Sequence, residues 1–214
     1  MMKGAATMTL APPDRLDKHV SAPVYERFRK QLVRLAIPEP QMAQLKPFTA
    51  ASLLAFAEWG RLGYHPRYGV DVHLITRAKE GGKRLLELEG AQVQSSLMDS
   101  LSEKEGEQAF EGTVAALESG LTSEQITGMV NAWQSGDASL LLEVARKYND
   151  NVPGAKDLEE KFIWSRHEAM VGKVEAFLLE GRERVFVAVG ALHLAGPRGL
   201  VELLKARGFI VRQL

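Results

Sequence analysis

The sequence predicts an α/β fold: a small, mainly parallel sheet interrupted by a large helical insertion, helix-rich, with an incomplete sheet. Three observations carry this. Arg184-Val-Phe-Val-Ala-Val189 is apolar after its first residue, the pattern of a strand buried on both faces. A loop, a short helical stretch and the apolar run Phe209–Arg212 follow it, which together make a βαβ-type unit. Between Gln92 and Leu179 the apolar residues recur at helical spacing almost throughout.

Each element follows in order. Residues 1–13 read as a loose end that finishes in Pro12-Pro13. Ser21-Ala-Pro23 opens a helix, because serine caps and proline is tolerated in a first turn. Tyr25, Phe28, Leu32 and Leu35 form its buried stripe, and Ile37-Pro-Glu-Pro40 ends it. Lys46-Pro47 starts a second helix that runs to Trp59 and buries Phe48, Leu53, Leu54, Phe56 and Ala57. A third covers Val70 to Lys79, and Arg84–Leu88 is a short strand. The insertion divides into helices at Gln92–Leu101, Glu103–Ser119, Ser123–Ser135, Ala138–Lys147 and Ala155–Leu179. Thr122-Ser-Glu-Gln125 fits a capping box. Gly190–Arg198 is a loop, and Gly199–Arg207 a short helix that buries Leu200, Leu203 and Leu204. Three strands are few for a parallel sheet, so at least one more is expected to be missing or to come from another chain.

Composition narrows the class. The 214 residues include 45% apolar and 25% charged residues, which suits one globular domain over residues 1–214. Its parts are the N-terminal end at 1–13, the helical insertion at 92–180 and the strand–loop–helix–strand unit at 184–214. Lys plus Arg and Asp plus Glu balance at 27 each. This leaves no basic footprint for nucleic acid. No cysteine is present, which removes disulfides and thiolate metal sites. No signal-type apolar leader and no run of about 20 apolar residues occurs, so no membrane span is expected. The chain as given reads as soluble and cytoplasmic, or as periplasmic or exported if its native start lies upstream.

The chemistry centres on Gly190-Ala-Leu-His193, followed by Gly196-Pro-Arg-Gly199. Ligands of open α/β sheets bind beyond the carboxyl ends of the strands, where His193 is placed. An imidazole there binds a metal or transfers a proton near neutral pH. The bland reading is a histidine that caps a helix or bonds a carbonyl. Gly190 fits a sharp exit from the strand or the close approach of a ligand. Glu89, with Gln94, lies just past the strand Arg84–Leu88 and could face the same cleft; its bland reading is a solvated strand end. Asp71, in Gly69-Val-Asp71, is either a helix cap or a group that orients a catalytic residue. Arg166 is either a clamp for a carboxylate or phosphate or a surface ion pair. His167 is its neighbour on one helix, so both are not expected to point inward. Trp59, Trp133 and Trp164 read as core or interface residues.

These segments resemble the TraB/GumN family. Val187-Ala-Val-Gly-Ala-Leu-His-Leu-Ala-Gly-Pro-Arg-Gly-Leu200 matches its C-terminal strand, GxxH motif and Gly-Pro-x-Gly-Leu turn. Lys46-Pro47 resembles its KPW-type helix start, with Phe48 for tryptophan. Gly69-Val-Asp71 resembles its GxD motif, and Leu88-Glu89 with Gln94 its LETxxxQ stretch, with Gly90 for threonine. Trp133 with Gly136-Asp137 resembles its W-x-x-GD segment, and Arg166 its Arg-Asn pair, with His167 for asparagine. The family is related to the TIKI metalloproteases. The resemblance implies a metal-dependent hydrolase, a peptidase or an enzyme of small molecules. It implies His193, Glu89, Asp71 and Arg166 as catalytic residues, with His193 and Glu89 as ligands of a divalent metal and Gly190, Gln94 and Gly196 at the substrate. The family's first strand and first GxxH are not matched here, since no Gly-x-x-His precedes Gly190. One imidazole and one carboxylate make a weak metal site, so low activity from this chain alone is expected. The alternative is a non-catalytic binding protein that uses the same cleft or pairs through an open sheet edge, for instance as a homodimer.

Overall fold

Apolar residues spaced at three and four turn the first half of the chain into helices that share one core. The computed structural model describes residues 8–149, 152–180 and 184–213. Helix α1 (Ala22–Arg34) starts after Ser21 with Pro23 in its first turn and buries Val24, Phe28, Gln31 and Leu32. Tyr25 and Leu35 only flank that core. Helix α2 (Pro47–Arg61) begins at Lys46-Pro47 as expected, but the face it buries is Pro47, Ala50, Ala51, Leu54 and Glu58. Leu53 and Phe56 point outward. The inward face is built largely of small residues, and it packs on α5 (Glu103–Ser119). Phe110 of α5 meets Phe28 with ring centroids 4.9 Å apart. Glu58 is 3% exposed and is held by Arg34 at 2.9 Å and Arg61 at 2.7 Å, so its buried charge is compensated.

The rest of the chain carries α3 (Val70–Glu80), α4 (Ala91–Asp99), α6 (Leu121–Ser135), α7 (Ala138–Lys147), α8 (Ala155–Phe162), α9 (His167–Glu180) and α10 (Leu200–Ala206). Helices α3 and α4 bury no residue. The capping box is found at Ser102 and Glu105 of α5, not at Thr122. Gly120, with φ 78°, closes α5 and opens α6 directly, which places Thr122 inside a helix. Asp137 caps α7 by accepting from the Ser139 and Leu140 amides at 2.9 and 3.1 Å. Residues 1–7 of the expected loose end lie outside the described residues, as do 150–151 of the turn before α8 and 181–183 before the last apolar run. Met8–Leu10 are pinned: Thr9 bridges Leu45, and Leu10 donates to the Gln44 carbonyl at 2.7 Å.

The expected sheet is not there. Among the described residues no strand is formed, so the α/β class and its parallel sheet are corrected to a helix-rich fold. Residues 84–88, 184–189 and 209–212 run without helical structure, and no backbone hydrogen bond joins one segment to another. An apolar run has the propensity for a strand, but a strand exists only when its amides and carbonyls find a neighbour. Phe186 and Ile210 are 80% and 87% exposed, and Leu85 and Leu86 are also outside. Leu88 and Val189 at the inner ends, and Phe209 and Val211 of the last run, are half-buried; the first two belong to a small core. They pack with Met170 and Val171 of α9 and Leu200 of α10. The open sheet edge expected as a pairing surface is therefore not formed among the described residues.

The long helix expected over Ala155–Leu179 is two helices. Ile163 breaks it with φ −119° and ψ −71°, and Trp164–Arg166 form a 3-10 turn before α9. The Phe162 carbonyl at the end of α8 accepts instead from the Arg166 guanidinium at 2.6 Å. A side chain thus satisfies a carbonyl that the break leaves without its helical partner. No helix among the described residues is long and apolar enough to cross a membrane.

Candidate functional site

The segment that sequence singled out folds as a 3-10 turn, Ala191–Leu194, in which the His193 amide donates to the Gly190 carbonyl at 2.9 Å. Gly190 has φ −56°, open to any residue. A Cβ added there would touch only His193 Cδ2 at an ordinary 3.6 Å. Gly196, by contrast, has φ 72°, and a Cβ there would lie 2.8 Å from Leu142 Cδ2. At Gly199 a Cβ would lie 2.5 Å from the Ala195 carbonyl oxygen and 2.6 Å from that of Leu194. The Gly-Pro-Arg-Gly turn is therefore fixed by glycines at both ends, and it fixes the Arg198 carbonyl between them.

That carbonyl anchors a chain of two imidazoles. His167 Nδ1 is 2.6 Å from the Arg198 oxygen, and His167 Nε2 is 2.8 Å from His193 Nδ1. A carbonyl only accepts, so His167 Nδ1 carries a proton. With both rings neutral, His167 Nε2 must then accept and His193 Nδ1 must donate. The lone pair of the pair is left on His193 Nε2. This nitrogen has no hydrogen-bond partner among the described residues, and no buried side-chain nitrogen there lacks one. His193 Nε2 is therefore open to solvent. Burial, followed by the charge of Arg166, pushes the His193 imidazole down to about 4, against an opposing pull from Glu89. It is neutral at pH 7.

His167 is 2% exposed and was given no site role by sequence. Its neighbour Arg166 faces the same region, because the break at Ile163 turns both side chains inward. Trp164 completes the frame. Its ring meets His167 edge-on at 5.2 Å, and Arg146 and Arg198 lie over it at 5.8 and 5.7 Å. Its indole N–H donates to Glu159 at 2.6 Å. The departure of His167 from the Arg-Asn pattern was the one signal in the sequence that pointed to it.

Glu89 and Arg166, 77 residues apart, form one ion pair. Arg166 Nε reaches the two Glu89 oxygens at 2.9 and 3.1 Å, and its Nη2 adds a short contact to Oε2. The Arg166 hydrogen bonds hold the Glu89 carboxyl below the usual carboxylate range, and Arg166 is raised in turn. Arg166 thus clamps a carboxylate, and the carboxylate is Glu89. Asp71 sits exposed in the first turn of α3 and makes no hydrogen bond or ion pair among the described residues. Gln94 is exposed on α4. The structure brings His193, Glu89 and Arg166 to one place and does not bring Asp71 there.

A catalytic metal needs about three convergent protein donors. The described residues hold no group of three or more His, Asp or Glu in such an arrangement. Near His193 the donors are committed: His167 spends both nitrogens, and Glu89 is bound to Arg166. His193 Nε2 is the single free donor of this cluster, so these residues by themselves do not fit a resident metal.

On its other side His193 joins a pocket of about 460 Å³ lined by Met129, Val130, Trp133, Leu141, Ile163, Gly190, Ala191 and Leu192. Trp133 stands at 60% exposure. Met129, Val130 and Trp133 come from α6; the sequence reading takes Trp133 as a core or interface residue.

A model of the TraB/PrgY/gumN family matches residues 1–213. The "Uncharacterized protein YbaP" of Escherichia coli strain K12 is 27% identical over 170 residues, 78% of this chain and 59% of that protein. Its namesake in Shigella flexneri matches to the same extent. The chain spans about three fifths of the length of these curated relatives. No solved structure matches.

Proposed function

Because the chain belongs to the TraB/PrgY/gumN family, we propose that it carries the acid–base half of a hydrolytic site, with His193 as the base. One observation supports this above the others. The Arg198 carbonyl, His167 and His193 are linked in a line that leaves an accessible lone pair on His193 Nε2 at the edge of an apolar pocket.

The chemistry is acyl hydrolysis. A water gives its proton to His193 Nε2 as its oxygen bonds to the carbonyl carbon. The bond to the leaving nitrogen or oxygen then breaks, and the proton on Nε2 passes to that leaving group. While His193 is protonated, its Nδ1–H donates to His167, which donates to the Arg198 carbonyl, so both rings keep their orientation through the cycle. Glu89 favours the transient positive charge and Arg166 opposes it. Arg166 and Glu89 hold each other and so keep Glu89 from competing as a base.

No charged side chain lines the pocket to polarise the carbonyl, so a low rate is expected from these residues. The test is hydrolysis of fluorogenic peptide and ester libraries by the purified chain. Cleavage that survives His193→Ala sinks the reading. Activity is expected to be flat near neutrality and to fall as pH drops through about 4, where His193 gains its proton. Titration with Zn²⁺ in a calorimeter is expected to give weak binding. Tight, His193-dependent binding would overturn the donor count above.

A further inference from the structure

We infer that the pocket beside His193 binds a neutral aromatic or bulky apolar group that carries a hydrogen-bond donor at one end. The inference deepens the proposed reading of His193 and rests on it for the orientation of the ligand.

Size comes first. About 460 Å³ is the scale of a small-molecule site. It suits one aromatic ring or branched side chain with its attached polar group. The walls come next. Met129, Val130, Leu141, Ile163 and Leu192 are aliphatic or thioether side chains, and Trp133 offers an indole. Burying an apolar group against them is favourable at about 25 cal/mol per Å² removed from water. Trp133 is 60% exposed, which leaves ring surface for a ligand to cover, and aromatic pairs add to simple burial.

Polarity settles the rest. Besides the indole N–H of Trp133, the polar side chain in the lining is His193. Its Nδ1 is used by His167, so what it offers is an acceptor. A donor, O–H or N–H, completes it. A carboxylate would set its own lone pairs against that nitrogen. Arg166, whose charge acts on His193, is already neutralised by Glu89 and gives an anion no compensation. Aliphatic walls give an ammonium group no counter-charge either. The chemical class that remains is neutral and apolar with a donor, such as a phenol, an indole, or an apolar side chain beside an amide N–H.

The experiment titrates the whole chain with three ligands of one shape: 4-methylphenol, toluene and 4-methylbenzoate. Binding is read by tryptophan fluorescence and by the His193 ring signals in NMR. 4-Methylphenol is expected to bind roughly three- to tenfold more tightly than toluene, the worth of one net hydrogen bond, and 4-methylbenzoate more weakly than either. His193→Ala is expected to erase the preference for the phenol and keep toluene binding. Trp133→Ala is expected to weaken both neutral ligands. Equal binding of phenol and toluene, or tighter binding of the carboxylate, overturns the inference in the unmutated protein, whatever the variants do. His193-dependent hydrolysis together with equal binding sinks the ligand class alone. Phenol preference without hydrolysis sinks the catalytic reading alone.

Discussion

Histidines in this chain are found in opposite electrostatic settings, and each setting dictates a charge. His193 is held neutral by burial and by Arg166, which is what a base needs. His19 is held charged. Its Nε2 lies 2.7 Å from Asp14 and its Nδ1 2.9 Å from Glu103. Carboxylates only accept, so both nitrogens donate and the ring is an imidazolium. Burial works against that charge, but the bonds to Asp14 and Glu103 outweigh it and raise the group above its ordinary value. The sign follows. A histidine whose folded value is raised stabilises the fold fully below its unfolded value, and the contribution fades as pH rises through the folded value. The clamp ties the turn before α1 to the first residue of α5. Thermal unfolding is therefore expected to show a midpoint that declines as pH rises above the ordinary histidine value. His19→Gln is expected to remove most of that slope. Parallel curves for the two proteins would show that the clamp contributes nothing.

Two breaks in regular structure build the site at the scale of elements. The break at Ile163 puts Arg166 and His167 on one side, although adjacent positions on a continuous helix diverge. Sequence reading missed this because apolar spacing runs through residues 155–171 without a Gly or Pro to announce a stop. Gly172 lies beyond the site and within α9. The same reading located His193 and Arg166 from motif residues alone. It could not see that Arg166 faces Glu89, since a partner 77 residues away leaves no mark in local pattern. The second break is the Gly196–Gly199 turn. Gly199 is where its geometry is least forgiving, because both nearby contacts are backbone oxygens that cannot rotate away. Gly199→Ala is expected to cost about 1–3 kcal/mol, the range for forcing an extra carbon into a packed site. The Arg198 carbonyl would shift with it, so the His193 ring signals should move in NMR even at temperatures where the variant stays folded. An unchanged midpoint with unchanged His193 signals would show that the turn does not position the imidazoles.

For the whole molecule, helices and runs of apolar residues were legible to very different depths. Helix periodicity is local, so the spans of α1, α2, α5 and α7 lie close to where apolar spacing places them, although α2 buries a different face. A sheet is not local: Val185–Val189 and Phe209–Val211 have strand composition, but nothing in their own sequence supplies the neighbouring backbone. The folded chain leaves these runs on the outside and draws its cohesion from helix cores, one around Phe28 and Phe110 and smaller ones around Trp164 and around Val171. A consequence can be measured. Phe186 and Ile210 are 80% and 87% exposed, so removing them should cost no core packing. Surface changes of this kind stay within about 0.5 kcal/mol. At this chain length that is a midpoint shift of roughly 2 °C at most. The double variant Phe186→Ser, Ile210→Ser is thus expected to unfold at nearly the parental temperature. It should also self-associate less in sedimentation runs, because exposed apolar surface drives non-specific contact. Its far-UV circular dichroism should keep the parental helical signal. If the midpoint instead drops by ten degrees or more, a loss of several kcal/mol at this chain length, those side chains are packed in solution and the unpaired arrangement of the runs is wrong.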